Sequence, residues 1–190
     1  MWFNIKSRLP VFETERLIVR EVELDDAADF YEYGKLVNIG DAAGWEAHYS
    51  KYDSRMRIEI MRKKTDSNHL GLFSVVLKSE NKMIGTVELH SYQPKFKAEL
   101  GYTINPKYWG NNYAVEASKA LLKWGFEELG LKRIECSCYL DNVQSMRVCE
   151  KLLFTNEGIK KRGYINYKGE CVDIMTYALT VDEYYERYGI

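Results

Sequence analysis

One stretch of eighteen residues constrains the fold most strongly, and it runs from Glu99 to Glu116 as ELGYTINPKYWGNNYAVE. It predicts a strand over Ala98–Ile104, a chain exit marked by Pro106, a short polar loop, and a long helix that begins near Asn112. The first N–H groups of a helix have no acceptor within the helix, and the helix dipole favours negative charge there. This strand, loop and helix therefore predict a binding site for an anion, and we expect a phosphate group.

The loop sequence narrows the class of phosphate ligand. It contains neither the GxxxxGK(S/T) pattern of nucleoside-triphosphate sites nor the GxGxxG pattern of dinucleotide sites, and no lysine stands at the helix start. The polar loop that remains consists of Trp109, Gly110, Asn111, Asn112, Tyr113 and Ala114. Its main-chain N–H groups suit a pyrophosphate that is held by backbone alone, which indicates a cofactor rather than a nucleotide that is hydrolysed.

Three motifs in this order carry a family resemblance. The opening ETERLIVREVELDDAADFY begins at Glu13, the pattern G-Y-x-I, Pro, W-G-x-x-Y-A-x-E-A begins at Gly101, and D-N-x-x-S-x-R-V-x-E-K-x-x-F begins at Asp141. Together they resemble the GNAT superfamily of acetyl-CoA-dependent N-acetyltransferases, and within it the RimJ/RimL-like branch that contains ribosomal-protein N-terminal acetyltransferases. The resemblance extends from Glu13 to about Leu179 and does not cover the identity of the substrate.

The periodicity of apolar residues predicts seven strands and four helices, with a further short helix in the tail. The strands are Arg16–Val22, His69–Leu77, Lys82–His90, Ala98–Ile104, Arg133–Leu140, Phe154–Arg162 and Cys171–Leu179, and the helices are Leu24–Tyr33, Ser54–Lys64, Tyr113–Leu129 and Asn142–Leu152. This order predicts one mixed sheet with a parallel, right-handed crossover. The resemblance implies a single-domain α/β (α+β) GNAT fold over residues 1–190, with about seven strands and about four helices, in which two central parallel strands splay apart around the pantetheine arm of the cofactor.

Two local details of these predictions concern the first helices. Gly34 follows the first predicted helix and is a candidate for its left-handed terminating residue, and Gly130 is predicted to end the long helix in the same way. The second helix, Ser54–Lys64, is predicted to turn Met56, Ile60 and Met61 inward.

The stretch Val37–Asp53 predicts an irregular loop, which in a compact domain is often functional. In the resembled family this segment helps to form the wall of the acceptor site, so Trp45 and His48 are candidate substrate contacts. The alternative is a tryptophan that packs the loop down and a histidine on the surface.

The resemblance assigns the cofactor site residue by residue. The family pattern Q/R-x-x-G-x-G/A falls on Lys107, Gly110 and Asn112, and the N–H groups from Gly110 to Ala114 would hold the pyrophosphate. Asn112 replaces a small residue, but asparagine tolerates positive φ better than other non-glycine residues, so the loop shape can be kept. The main chain of Tyr102, Thr103 and Ile104 would pair with the pantetheine amides, and one N–H there would face the thioester carbonyl.

Asn142 and Ser145 lie where the family has N-x-x-S. In that role Asn142 would hydrogen-bond the pantetheine arm and Ser145 would donate a proton to the thiolate of CoA; the alternatives are a helix N-cap and a small inward residue. Many family members carry a tyrosine at the position of Cys149, so the resemblance leaves proton donation to Ser145 or to water. We discount Cys149 as a covalent nucleophile, because no histidine lies near it in the sequence.

Acetyl transfer to an amine also needs a base. Glu99 points to the same face as Gly101, so a carboxylate there with a raised pKa would accept the amine proton, and Glu88 is the second candidate. Either residue can instead be an ordinary strand carboxylate. An α-amino group with a pKa of about 8 needs less help than a lysine with a pKa of about 10.4, which favours an N-terminal amine as the acceptor.

Bulk properties exclude other classes of function. The net charge of −1 gives no basic surface for nucleic acid. No apolar run approaches a membrane span, and the start of the chain does not resemble a signal peptide, so we expect a cytoplasmic protein. The four cysteines and three histidines lack the spacing of a metal site. Two alternatives remain: a small-molecule amine acetyltransferase acting on a polyamine or aminoglycoside, and a non-catalytic acetyl-CoA-binding module. Family members often form homodimers.

Overall fold

A computed structural model describes residues 9–63 and 70–189. Its strands are β1 (Phe12–Glu13), β2 (Leu17–Glu21), β3 (Leu72–Leu77), β4 (Lys82–Gln93), β5 (Lys97–Ile104), β6 (Arg133–Tyr139), β7 (Thr155–Ile165) and β8 (Cys171–Thr180). Its α-helices are α1 (Ala27–Gly34), α2 (Val37–Ala43), α3 (Lys51–Lys63), α4 (Tyr113–Lys123), α5 (Val143–Lys151) and α6 (Val181–Tyr188). The eight strands and six helices of these residues form the single α/β fold with a mixed sheet that was predicted. The short β1 and the helix α2 were not predicted, and α6 is the short helix predicted in the tail.

The sheet has the strand order β1-β2-β3-β4-β5-β6-β8-β7. All neighbouring strands are antiparallel except β5 and β6, which are parallel and pair at only three positions, from Lys97↔Arg133 to Glu99↔Glu135. Beyond Glu99 and Glu135 the two strands are no longer paired, although both continue for several residues. The predicted parallel crossover is therefore confirmed, and the strands that it joins diverge toward their C-terminal ends.

Helices cover the two faces of the sheet unequally. One core cluster joins α4, α5 and α6 to one face, with residues such as Leu121, Ile134 and Tyr184 fully or almost fully buried. A second cluster joins α1, α2 and α3 to the other face, where Leu72 and Met83 of β3 and β4 pack against it. Because α1 to α3 pack against this side of β2 to β4, the same face of β5 and β6 is left for polar side chains such as Glu99, Arg133 and Glu135.

The long helix follows its prediction closely. α4 begins at Tyr113 and continues through a π-helical turn, Trp124–Glu128. Gly130 then adopts a φ of 67°, so its predicted role as the terminating glycine is confirmed. Gly125 of this turn lies so close to the sheet that an added Cβ would be 2.8 Å from Ile134 Cδ1, which explains why this position is a glycine.

Three predictions about the first helices are wrong. Gly34 lies inside α1 without a positive φ, and it is a glycine because an added Cβ would lie 2.5 Å from His48 Nδ1. Part of the predicted irregular loop is helical, as α2. In α3 the buried face is Ser54 and Ile58, whereas Met56 and Ile60 are exposed.

The reason for the third error is a polar residue on the inner face. Ser54 is fully buried because its hydroxyl is hydrogen-bonded to His48, so the inward stripe of α3 contains a serine where an apolar residue was assumed. Ser54, Ile58 and Met61 recur at helical spacing, and of the three residues predicted to face inward only Met61 packs against the core cluster. The predicted helix end at Lys64 and strand start at His69 lie outside the described residues.

Candidate active site

The divergence of β5 and β6 opens a cleft of about 1160 Å³ through the sheet. The cleft runs from the loop before α4 at one end to α2 and the β7–β8 hairpin at the other. Three residues named for the site from the sequence, His48, Lys107 and Asn111, do not line the cleft. The others do: Trp45, Glu88, Glu99, Tyr102, Thr103, Ile104, Trp109, Gly110, Asn112, Tyr113, Ala114, Asn142 and Ser145. Residues that are far apart in sequence are thus brought to one cavity.

Hydrogen bonds define which backbone groups of β5 face the cleft. The N–H of Asn105 donates to the carbonyl oxygen of Ile84 on β4 at 2.8 Å. Because backbone polar groups alternate along a strand, Tyr102 and Ile104 direct theirs toward β6, while Thr103 is directed toward its partner on β4. The Ile104 carbonyl oxygen already accepts a hydrogen bond from Trp109 Nε1 at 2.7 Å. The edge that can pair with an extended guest therefore centres on Tyr102, and the predicted main-chain contact by Thr103 is not supported.

The loop before α4 presents a row of main-chain donors. Gly110 and Asn112 have φ values of 81° and 61°, so the prediction that Asn112 keeps the left-handed loop shape is confirmed. The first hydrogen bond of the helix runs from the N–H of Glu116 to the carbonyl of Asn112. Within residues 9–63 and 70–189, no acceptor is bonded to the N–H groups from Gly110 to Ala114. Five consecutive donors thus lie at the positive end of the helix dipole.

Side chains hold this loop in place from both sides. Asn111 donates to the carbonyl oxygens of Tyr108 and Trp109, which turns its side chain away from the cleft. The side-chain oxygen of Asn112 accepts a hydrogen bond from Lys151 Nζ at 2.6 Å, so the loop is tied to the end of α5. The Asn112 side chain, which stands where the family pattern has a small residue, is therefore bound to a lysine that also lines the cleft.

Arg16 and Glu116 form an anchor that sequence reasoning did not identify. Glu116 accepts hydrogen bonds from Thr14 Oγ1 and from the main chain and side chain of Arg16. Burial alone would raise the pKa of Glu116, but these hydrogen bonds outweigh it and hold the pKa below its ordinary value. Arg16 also donates to the carbonyl of Asn111 and lies over the Tyr113 ring. Both residues belong to the motifs quoted above, and this was the only indication in the sequence that they act together.

The face of the cleft opposite α4 carries the predicted carboxylates. Glu88 pairs with Gly101, and His90 pairs with Glu99, so all four residues share one face of β4 and β5. An added Cβ at Gly101 would lie 3.3 Å from the His90 ring and 3.4 Å from Glu88, so the glycine leaves a hollow between these side chains. Among the described residues, the carboxylate of Glu99 makes no hydrogen bond or ion pair with another side chain.

A saturated ion network lies beside Glu99. Glu135 accepts hydrogen bonds from Arg133 at 2.8 Å and from Lys97 at 3.0 Å, and Arg133 also pairs with Glu157. Burial tends to raise the pKa of Glu135, but the two cations lower it below the ordinary value. The carboxylates of Glu135 and Glu157 are thus occupied by cations, whereas, among the described side chains, that of Glu99 is not.

The inner wall of the cleft is formed by Tyr102 and the start of α5. The Asn142 side chain accepts a hydrogen bond from the N–H of Ser145 at 3.0 Å, as expected for an N-cap. The Ser145 hydroxyl lies 2.8 Å from the Tyr102 hydroxyl. Cys149 is fully buried, lies 3.4 Å from the sulfur of Cys136 and does not line the cleft, which agrees with discounting it as a nucleophile.

His48 is not placed to contact an acceptor. It is only 3% exposed, its Nδ1 lies 2.7 Å from Ser54 Oγ, and the Phe30 ring packs against it at 4.6 Å. Burial lowers the pKa of His48 to about 4. It is therefore neither the predicted substrate contact nor the alternative surface histidine, but a neutral packing residue behind Trp45, which does line the cleft.

Two elements meet at the end of the cleft away from α4. The carboxylate of Asp41 on α2 forms an ion pair with Lys168 at 2.8 Å and contacts the Tyr167 hydroxyl, both at the tip of the β7–β8 hairpin. Gly44 faces the hydroxyl of Tyr164 on the same hairpin, where an added Cβ would lie 3.2 Å away. α2 and the hairpin therefore bound the cleft together.

Residues 9–63 and 70–189 contain neither a membrane-spanning helix nor a cluster of metal ligands. No helix there has the length and apolar character needed to cross a membrane. The same residues contain no group of three or more histidine, cysteine, aspartate or glutamate side chains that could hold a metal ion.

Comparison with known proteins identifies the family. A family model described as acetyltransferase (GNAT) domain matches residues 16–155. The uncharacterized N-acetyltransferase YnaD of Bacillus subtilis (strain 168) is 31% identical over 171 residues, which cover 90% of this chain and 97% of that protein. A solved GNAT-family acetyltransferase from Bacillus anthracis is 30% identical with a TM-score of 0.79, and the match covers 92% of this chain and 100% of that one.

A ribosomal-protein acetyltransferase shares the fold. It is RimL, a ribosomal L7/L12 α-N-protein acetyltransferase solved in complex with coenzyme A, and it matches with a TM-score of 0.76 and 19% identity over 92% of this chain and 99% of that one. The resemblance drawn from the three motifs is confirmed by these matches. The chain belongs to the GNAT family of N-acetyltransferases and is an acyltransferase.

Proposed function

We propose that this acyltransferase moves the acetyl group of acetyl-CoA to the α-amino group of a protein or peptide N-terminus, by direct attack of the amine on the thioester. The observation that carries the proposal is the cleft between β5 and β6, which has five main-chain donors at one end and carboxylates at the other. A long ligand with a phosphorylated end and an amide-containing arm matches this distribution of polar groups.

The residues of the cleft fit such a ligand from end to end. The N–H groups from Gly110 to Ala114 would bind the pyrophosphate, since unpaired donors at a helix start stabilise negative charge. The backbone of Tyr102 on the open edge of β5 would pair with the amides of the arm, as one strand pairs with another. Acetyl-CoA supplies an activated acyl group, and the chain supplies its orientation relative to the amine.

The acceptor side of the cleft supports an amine of low pKa. The amine must lose a proton to act as a nucleophile, and Glu99 has no competing partner among the described side chains. A single carboxylate base is better matched to an α-amino group, with a pKa of about 8, than to a lysine, with a pKa of about 10.4. This comparison favours an N-terminal amine over a lysine side chain.

Calorimetric titration with acetyl-CoA tests the cofactor site, and Gly110 offers a matched pair of variants. Gly110 has a φ of 81°, and an added Cβ would meet no atom within 4 Å. Gly110→Asn and Gly110→Asp therefore introduce side chains of similar size at the same backbone conformation, and only the second adds a negative charge. We expect micromolar binding by the parent, weaker binding by Gly110→Asn and no measurable binding by Gly110→Asp. Equal binding by the two variants would contradict a phosphate at this loop.

A panel of amines then tests the acceptor. Each peptide is offered with a free N-terminus and again with a blocked N-terminus and an internal lysine, beside spermidine and an aminoglycoside. Acetylation restricted to free N-termini supports the proposal. Turnover of spermidine or the aminoglycoside alone would assign the enzyme to small-molecule amines, and tight acetyl-CoA binding without turnover of any amine would indicate a binding module.

A further inference from the structure

Two hydroxyl groups meet at the inner wall of the cleft, one from the sheet and one from a helix. The Tyr102 hydroxyl donates to the main-chain oxygen of Ser145 at 3.1 Å, and its oxygen lies 2.8 Å from Ser145 Oγ, where either hydroxyl can be the donor. Both residues line the cleft. Ser145 is fixed by the hydrogen bond from its N–H to the Asn142 side chain. The hydroxyl pair is therefore held by β5 and α5 together, which is the kind of rigidity that a reacting group needs.

The position of Tyr102 along β5 places its ring beside the path of an extended ligand. Its main chain lies on the open edge of the strand, so a ligand that pairs with this edge passes next to its side chain. Burial raises the pKa of Tyr102 above the ordinary value, so the phenol is protonated at neutral pH. The sulfur of Cys149 lies 3.9 Å from the phenol oxygen and is fully buried, so this thiol is not exposed to the cleft.

We propose that Tyr102 is the catalytic residue that donates a proton to the departing thiolate of CoA, and that Ser145 positions the phenol. This inference rests on the proposed acetyl transfer. As the C–S bond breaks, its electron pair stays on sulfur, the O–H bond of Tyr102 breaks and an S–H bond forms. The Ser145 hydroxyl donates a hydrogen bond to the phenolate oxygen. Glu99 takes the proton that the amine loses, and exchange through solvent returns one to Tyr102, so no further reactant is required.

The assignment differs from the role that the family resemblance suggests for Ser145. In this assignment the Ser145 hydroxyl donates to the phenol oxygen, so its proton is not offered to a ligand. The phenol proton, which the main-chain oxygen of Ser145 accepts at 3.1 Å in the structure, turns to the sulfur when CoA is bound. Ser145 is therefore a positioning residue, and its removal should weaken the effect of Tyr102 without abolishing it.

The test measures the protonation of bound CoA, so it requires no acceptor. Parent and Tyr102→Phe proteins are saturated with CoA, and the ultraviolet absorbance of the thiolate is followed against pH, with the desulfo-CoA complex as the baseline. A phenol that donates to the thiolate stabilises the charged form, so the bound thiol should titrate about one to two pH units lower in the parent than in Tyr102→Phe. Ser145→Ala should give a smaller shift in the same direction.

A matched control separates this effect from general loss of a tyrosine hydrogen bond. Tyr188 on α6 donates to the carbonyl of Leu152 at 3.0 Å and does not line the cleft, so Tyr188→Phe removes a similar bond away from the site. We expect the thiol in this variant to titrate as in the parent.

The possible failures are distinguishable. CoA binding with the same thiol pKa in the parent, Tyr102→Phe and Ser145→Ala would overturn this inference alone. A parent that binds no CoA in calorimetry would overturn the proposed function and this inference with it. Ser145→Ala keeps the Tyr102 ring in place, so the comparison can still be made if Tyr102→Phe does not fold.

Discussion

Glu99 has no cationic side chain paired with it in the described part of the chain. Glu135 and Glu157, by contrast, both pair with Arg133. The carboxylate of Glu99 is therefore not covered by a cation among the described side chains, which is what the proposed role as a base requires. Its strand position directs it to the hollow left by Gly101, which is where an amine would approach the edge of β5.

Glu99→Gln should lower kcat by about 10²- to 10⁴-fold, the usual contribution of a positioned base, while the affinity for acetyl-CoA stays close to that of the parent. The measurement is the pH–rate profile, in which the fall in activity at low pH should follow the pKa of the acceptor amine alone, about 8, because glutamine cannot take up the amine proton. A Glu99→Gln enzyme with the parent profile would contradict the assignment, and the same change in Glu88→Gln instead would transfer the role to Glu88.

His48 makes the stability of the protein depend on pH. Burial keeps it neutral in the folded chain down to a pKa of about 4, whereas in the unfolded chain histidine binds a proton near pH 6.5. Between these values the unfolded state holds more protons, so the free energy of unfolding decreases as the pH falls, by up to about 3 kcal/mol over the whole window.

Denaturant unfolding at several pH values between about 7 and 5 tests this linkage, because most carboxylates remain ionised there. His48→Asn offers a side-chain amide to Ser54 in place of Nδ1 but does not titrate. We expect this variant to be less stable at neutral pH and to show a flatter dependence on pH than the parent. Identical slopes would mean that His48 becomes protonated in the folded state.

Single residues were predictable where backbone conformation required them. Asn112 and Gly130 both adopt the positive φ that their positions imply. The roles of Gly34 and His48 were not predictable, because the glycine makes room for the His48 ring, which lies fourteen residues further along the chain. A contact of this kind leaves no local pattern in the sequence.

At the scale of elements, α1 and α3 pack around the His48 ring. Gly34 on α1 touches one side of the ring and Ser54 on α3 is hydrogen-bonded to it. Gly34→Ala would place a Cβ 2.5 Å from Nδ1 and 2.6 Å from Cε1. The ring must then move, which should destabilise the protein by about 1–3 kcal/mol even though alanine is the better helix former.

Gly130→Ala is the comparison, since an added Cβ there meets no atom within 4 Å and the cost arises only from the positive φ. We expect this variant to lose about 1–2 kcal/mol in denaturant unfolding. Only Gly34→Ala should also alter the pH dependence, because only that substitution disturbs His48. Full stability of Gly34→Ala would show that the ring has room to shift.

Elements with a clear periodicity of apolar residues were predicted. Elements that are very short, or that bury a polar side chain, were not. The strands β3 to β8 and the helices α4 and α5 follow the apolar pattern to within a few residues. α2 has only seven residues and a glycine in its middle, so its sequence does not predict a helix. The inner face of α3 contains Ser54, which is inward because of a hydrogen bond rather than because of hydrophobicity.

For the whole molecule, a ligand in the cleft should join the two parts of the sheet. Acetyl-CoA at about 100 times its Kd should raise the free energy of unfolding by about 2.7 kcal/mol. Hydrogen exchange should slow in the loop before α4 and at Tyr102 in the C-terminal half of β5, because bound backbone groups exchange less readily. Protection confined to the loop would contradict an arm that pairs with β5, and Gly110→Asp should show neither effect.

The overall architecture was predictable because the crossover between β5 and β6 requires a parallel pair. The residues that line the cleft were predictable only where they belong to one of the sequence motifs. The anchor of Arg16 on Glu116, the ion network of Arg133 and the contact of α2 with the β7–β8 hairpin each join segments that are distant in sequence. Side-chain pairing across such distances depends on the fold and has no periodic signal.

The three residue pairs between β5 and β6 also give the sheet a mechanical weak point. β1 to β5 form one panel and β6 to β8 form another, each continuous in sequence, and the seam between them is the shortest pairing among the five long central strands. If the two panels were pulled apart, we expect the β5–β6 pairing to break first, so that the sheet separates along the cleft. A ligand that contacts both panels would raise the force needed to separate them, and that force would then report the fraction of protein with ligand bound in the cleft.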